Sequence, residues 1–240
     1  MGTFRPTLLL TRPRPQSVRF ARDFRETFGR DWPVVISPLI EIVHLPATVP
    51  GDVGGVLFTS QHAVAALSGS RLPAGLPAWC VGPRTAAAAR ASGFDVQAGA
   101  PGDAAGLVRI LQDVGVRGPL LYPRGRHVAR DLEQALAPLG IPVLPAIVYN
   151  QRPLPATQEA LDLVGGPDPV LLPLFSPRSA RLAVREFAQA RAPIHAVAIS
   201  EAARQAGADL PVCQWALADS PDADGMMRAM ARLIGAGNAA

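Results

Sequence analysis

The sequence predicts an α/β protein made of two similar units, and three observations predict it. The run from Val56 to Val64, VLFTSQHAV, changes period half-way. Val56, Leu57 and Phe58 are a continuous apolar strand, Thr59 and Ser60 offer hydroxyls suited to capping, and Ala63, Val64 and Leu67 recur at helical spacing. The same strand-turn-helix pattern returns where the apolar run Val170 to Phe175 ends in Ser176-Pro177-Arg178-Ser179 and passes into Leu182, Val184 and Phe187. Two further pairs echo each other at nearly that spacing. LLLTRPRPQS from Leu8 is answered by LLYPRGRHVA from Leu120, which sets Arg12 against Arg124, and WCVGPRTAAAARASG from Trp79 is answered by VAISEAARQAG from Val197.

Taken in order, Thr7 to Thr11 is a short strand with Arg12-Pro13-Arg14-Pro15 as its loop. Val18, Phe20, Ala21, Phe24 and Phe28 then line one face of a helix. Trp32 to Ile36 is a second strand. From Ser37 to Pro46 the chain is bounded by prolines and suits an exposed extended linker better than a core strand. Ala78 to Val81 is a strand ending in Gly82-Pro83-Arg84-Thr85, with a helix from Ala86 to Ala91. Phe94 to Gln97 is strand, Asp103 to Asp113 is a helix facing inward through Leu107, Ile110 and Leu111, and Leu120 to Tyr122 is strand with Pro123 to Arg126 as its loop. A helix from Val128 to Leu139 stops near Gly140, before a strand from Ile141 to Leu144. Pro145 to Pro153 matches the first linker in its extended character and proline ends, and the two segments would pair as a two-stranded ribbon. A helix over Gln158 to Val164, a strand over Cys213 to Ala216 and a helix from Asp224 to Ile234 complete the chain, with a fraying tail GAGNAA.

A chain of 240 residues, 49% apolar and moderately charged, suits two domains of ordinary size with a core each. No apolar run approaches a membrane span, and the basic residue before three leucines near the N-terminus is too short a pattern for a signal peptide. Cys80 and Cys213 lie in apolar strand-like stretches and read as two buried thiols, for which a reducing cytoplasm is the simplest setting. All 23 basic residues are arginine. This excludes a Schiff-base lysine, pyridoxal phosphate attachment and a P-loop lysine. The net charge of +4 favours an acidic partner, yet the arginines are scattered and the aromatics few, so a small polyanion fits better than nucleic acid. His44, His62, His127 and His195 lack metal-ligand spacing, and Ser60 is too near His62 in sequence to be aimed by it.

In their order, LLLTRP, PLIEI, LFTSQHAV, VGPRTAAAARASGFDV, LLYPRG, the VY of Tyr149, LFSPRSA and AISEAA resemble the uroporphyrinogen-III synthase family over nearly the whole length. The resemblance implies two flavodoxin-like lobes, each a parallel sheet with helices on both faces. Residues 1–37 and 154–240 would form one lobe and 47–144 the other, joined by linkers 38–46 and 145–153. It further implies a monomeric cytoplasmic enzyme, independent of metal and cofactor. That enzyme closes hydroxymethylbilane, a linear tetrapyrrole with eight carboxylates, with loss of water and inversion of the last ring. A non-catalytic polyanion-binding protein and a synthase-like sensor domain are the alternatives, although no helix-turn-helix or basic tail is present to read DNA.

A substrate with eight charges needs many anion sites, and the N–H groups at helix starts supply them. The expected rim comprises Arg12, Pro13, Ser60, Gln61, His62, Gly82, Arg84, Thr85, Arg124, Gly125, Ser176, Arg178, Ser179 and Ser200. For the serines and Thr85 the plainer reading is capping alone, and for the arginines a solvated side chain. Tyr149, which matches the family's tyrosine, is the expected acid: a phenol protonated at neutral pH, able to donate to the departing hydroxyl from a cleft-facing crossing segment. The family often has threonines after a glycine in its last turn. Here the turn reads Ser200-Glu201-Ala202-Ala203, and Glu201 would repel a carboxylate.

Overall fold

The computed structural model describes residues 5–46, 48–50, 52–70, 72–97, 104–116, 118–127 and 132–239, the side chains of 104, 105, 238 and 239 excepted. In chain order the elements run β1 (Thr7–Leu10), α1 (Arg14–Phe28), β2 (Val34–Ile36), β3 (Ile40–His44), β4 (Gly55–Phe58), α2 (Gln61–Ala66), β5 (Pro77–Cys80), α3 (Pro83–Ala91), β6 (Asp95–Val96), α4 (Ala104–Val114) and β7 (Leu120–Gly125). They continue with α5 (Leu132–Leu136), β8 (Val143–Pro153), α6 (Gln158–Gly165), β9 (Val170–Leu174), α7 (Pro177–Phe187), β10 (Ile194–Ala198), α8 (Glu201–Ala206), β11 (Val212–Leu217) and α9 (Ala223–Ala239). Two compact units divide the chain: Met1–Glu41 with Arg152–Ala240, and Ile42–Gln151.

The first unit holds a five-stranded parallel sheet in the order β11-β10-β9-β1-β2. Counted along the chain, that is the flavodoxin order, with its reversal between β1 and β9. Side chains alternate across the sheet. Leu8 and Leu10 of β1, Leu171 of β9 and Val197 of β10 pack with Phe20, Ala21 and Phe24 of α1 and Met226, Met230 and Leu233 of α9. Their neighbours Leu9, Leu172, Leu174 and Ala196 are buried on the opposite side, where α7 lies against β9 and α8 against β10. The periodic apolar face of α1 is therefore the face it buries.

The second unit has a six-stranded sheet in the order β3-β8-β7-β4-β5-β6. Strands β4 to β8 are parallel. Val56, Phe58, Ala78 and Cys80 pack with α2 and α3 through Ala63, Val64, Leu67, Ala86 and Ala89. Leu57, Trp79, Leu120 and Tyr122 face the other way, onto Leu107 and Leu111 of α4 and Leu132 and Leu136 of α5. Each unit is thus the predicted α/β layering, with helices on both faces of a sheet that is parallel throughout in the first unit and parallel over β4 to β8 in the second.

Several expectations need correction. The two proline-bounded segments do pair with each other as expected, but they are not set apart from the sheet, because β8 also pairs in parallel with β7 from Leu120↔Val143 to Gly125↔Tyr149. Beside it, β3 is the edge strand of the same sheet. The Leu45 N–H donates to the Val148 carbonyl and the Leu154 N–H to the Leu39 carbonyl, so the partner numbers run in opposite directions and the pair is antiparallel. Residues Pro123 to Gly125 are strand, not loop. Cys213 is exposed, because β11 is an edge strand, whereas Cys80 is buried in a central one. The tail read as fraying continues α9 to Ala239. The predicted helix starts at Asp103 and at 128–131 lie outside the described residues.

Candidate functional site

In both sheets the parallel strands deliver their connecting turns to the carboxyl end, where α/β proteins bind ligands. In the first unit these are Arg12-Pro13 after β1, Ser176 to Ser179 after β9, and Ser200-Glu201 after β10, on three adjacent strands. In the second unit they are Ser60 to His62 after β4 and Gly82 to Thr85 after β5. Arg124 and Gly125 end β7, with Tyr149 on the neighbouring β8. The structure thus brings the expected residues together in two groups, one per unit.

The serines cap helices. Ser60 Oγ accepts from the His62 N–H at 3.2 Å, and Ser200 Oγ from the Ala203 N–H at 3.3 Å. Ser176 does more. Its Oγ accepts from the Ser179 N–H at 3.0 Å while its hydroxyl donates to Ser179 Oγ at 3.0 Å, and the Ser179 hydroxyl donates to the Ser176 carbonyl at 2.9 Å. These bonds use side chains to satisfy part of what a helix start leaves open. At Gly82, φ is +80°, a conformation that suits glycine, and no side chain caps α3 there. Of the residues after it, Arg84 is exposed and Thr85 buried.

The arginines differ in their surroundings. Arg124 Nε lies 3.6 Å from Glu133 Oε1 and its Nη1 donates to the Gly125 carbonyl at 3.3 Å, so it is already engaged within its own unit. Burial, with Arg181 nearby, pushes the Arg178 guanidinium below its ordinary pKa. Arg12 stands with its Cζ 4.1 Å from the centroid of Phe175, and the Ser17 hydroxyl donates to its carbonyl at 2.9 Å. The repulsion expected of Glu201 is met locally. Arg204 Nε donates to both its oxygens, at 3.1 and 2.9 Å, and Nη2 to one of them at 2.8 Å. The first of these effects holds the Glu201 carboxyl below the usual carboxylate range.

Tyr149 is 6% exposed and packs in the core cluster beneath α2 and α3, its ring centroid 5.7 Å from that of His62. Gly125 lies directly against it. A Cβ there would come within 2.8 Å of ring carbons Cε2 and Cζ. The lack of a side chain at Gly125 is what admits the ring. Phe175 and the buried Thr11 belong to the strand ends but escape a sequence reading. Phe175 closes an apolar run and looks like core, and Thr11 looks like the last residue of a strand.

Among the described residues, no group of three or more His, Cys, Asp or Glu side chains is placed to hold a metal ion. No helix there is long and apolar enough to cross a membrane.

A family model described as HEM4, uroporphyrinogen-III synthase HemD, matches residues 22–228. The chain belongs to that family. Membership supports an enzyme of that kind, in tetrapyrrole biosynthesis. The solved uroporphyrinogen-III synthetase of Helicobacter pylori 26695 is similar over 95% of this chain and 99% of its own, with a TM-score of 0.66 at 15% identity, and has the doubled flavodoxin-like fold expected above. Two structures of Thermus thermophilus uroporphyrinogen III synthase, both 18% identical, align over 95% and 96% of this chain and 98% of theirs, with TM-scores of 0.40 and 0.41. No curated protein sequence matches the chain significantly.

Proposed function

We propose that the chain closes hydroxymethylbilane to uroporphyrinogen III, with loss of water and inversion of the last ring. The family match over residues 22–228 carries this reading. The strand-end turns support it, because each sheet offers helix-start N–H groups and arginines to a substrate with eight carboxylates. Arg12, Ser176, Arg178, Ser179, Ser200, Ser60, Gln61, His62, Gly82, Arg84, Thr85, Arg124 and Gly125 are the proposed carboxylate-binding residues.

The hydroxyl of the hydroxymethyl group leaves as water, driven by electron release from its own pyrrole nitrogen, and the methylene carbon stays behind as the electrophile. The protein therefore needs only to protonate the departing oxygen and hold the chain curled. Tyr149 is the proposed acid, and its tight seat against Gly125 would fix the phenol's direction. Orientation carries most of the benefit: the last pyrrole is the ring that attacks, it must be held reversed as it meets the electrophilic methylene carbon at the other end of the chain, and holding that geometry decides the isomer.

The test is to mix the protein with freshly generated hydroxymethylbilane, oxidise the products and resolve isomers I and III. Isomer III is expected; isomer I alone overturns the reading and leaves a binding protein. Tyr149→Phe should slow isomer III formation while the protein stays folded, and unchanged turnover would remove Tyr149 as the acid.

A further inference from the structure

We propose that Phe175 is a positioning residue for substrate binding: its ring is the platform that holds the Arg12 guanidinium in place for a substrate carboxylate. The inference rests on the function proposed above. Strand β1 pairs with β9 through Thr7↔Val170 and Leu8↔Leu171, and the same offset carried to the strand ends sets Arg12 beside Phe175. That junction, between β1 and β9, is where the strand order of this sheet reverses.

The ring is itself anchored. Phe20 of α1, buried in the core, meets it edge-on, with centroids 4.9 Å apart and planes at 81°. On the ring lies Arg12, its Cζ 4.1 Å from the centroid, well within the reach of a cation–π attraction. At its other end Arg12 is tied by the buried Ser17, whose hydroxyl donates to its carbonyl at 2.9 Å. Attraction to the ring holds the charge without itself using an N–H donor, and the planar fork of a guanidinium suits a carboxylate. A side chain already ordered loses less rotamer freedom when it binds.

Such positioning strengthens binding of substrate and transition state alike, so its loss shows in KM and leaves kcat nearly unchanged. Phe175→Leu should raise KM about five-fold, the size of a partly exposed cation–π contact. Phe175→Trp, which keeps an aromatic face, should hold KM near the wild-type value. In an Arg12→Gln background Phe175→Leu should have almost no further effect, since the charge it orders is gone. An unchanged KM for Phe175→Leu, a loss in kcat instead, or an equal loss in both backgrounds overturns the inference, provided that the wild type makes isomer III. A wild type that yields isomer I alone overturns the proposed function, and this inference with it.

Discussion

Replacing Gly125 by alanine puts a methyl group where the Tyr149 ring now lies. The new Cβ would stand 2.8 Å from Cε2 and Cζ and 3.0 Å from the hydroxyl oxygen. Carbon atoms rest comfortably at about 3.5 Å, so the ring or the strand must shift by roughly 0.7 Å. Gly125 and Tyr149 face each other across the β7–β8 register, and the ring sits in a filled core, so neither yields easily. Overpacking of this kind costs about 1–3 kcal/mol, which for a chain of this size lowers Tm by about 3–10 °C. Scanning calorimetry of Gly125→Ala, alone and with Tyr149→Ala, reads the effect directly. In the double variant the ring is gone, and the methyl group should cost less than about 0.5 kcal/mol. Isomer III formation should fall with Gly125→Ala as the ring is displaced. A Tm within about 1 °C of wild type, or the same loss in both backgrounds, would refute the packing argument.

Three further outcomes are expected. Burial pushes the Cys80 thiol up to about 11, whereas Cys213 is exposed, so the native protein should react rapidly with one equivalent of a thiol reagent and the denatured protein with two; equal native rates would contradict the burial. The hydrogen bonds from Arg228 bring the Asp219 carboxyl down to about 2, with the charges of Arg228 and Arg232 assisting. A depressed pKa means that the unfolded state takes up the proton first, so this pair's stabilisation is present above about pH 4 and lost as pH falls through 2. A carbon NMR titration with an Asp219 midpoint near 4 would contradict that. Trp32→Phe removes the Nε1–H bond to the buried Pro6 carbonyl, now 2.8 Å, and should cost about 1–3 kcal/mol in a urea melt; an unchanged midpoint would show the carbonyl finding another donor.

The α/β layering was legible because its signal is local. Val56 to Phe58 run without a polar break, Ser60 caps, and Ala63 and Val64 begin the next period, as the structure shows. The serine turns were legible for the same reason. What escaped depended on partners far away in sequence. Prolines at 145 and 153 argued against a sheet interior, yet β8 lies between β3 and β7. Cys213 looked buried because its neighbours are apolar, but exposure follows from β11 being last in the sheet, which no window around it reveals. Phe175 looked like core until the pairing of β1 with β9 set an arginine on its ring.

The insertion of Ile42–Gln151 between the two parts of the other unit has a consequence for synthesis. A nascent chain makes β1 early, yet its partner β9 is more than a hundred and fifty residues downstream. At ordinary ribosomal speeds that is a delay of roughly ten to thirty seconds. Over that interval the whole inserted unit emerges and can close its own sheet, while β1, α1 and β2 at the amino end wait with an unmatched strand edge. The final fifth of the chain, bringing β10, β11 and α9, completes their cover.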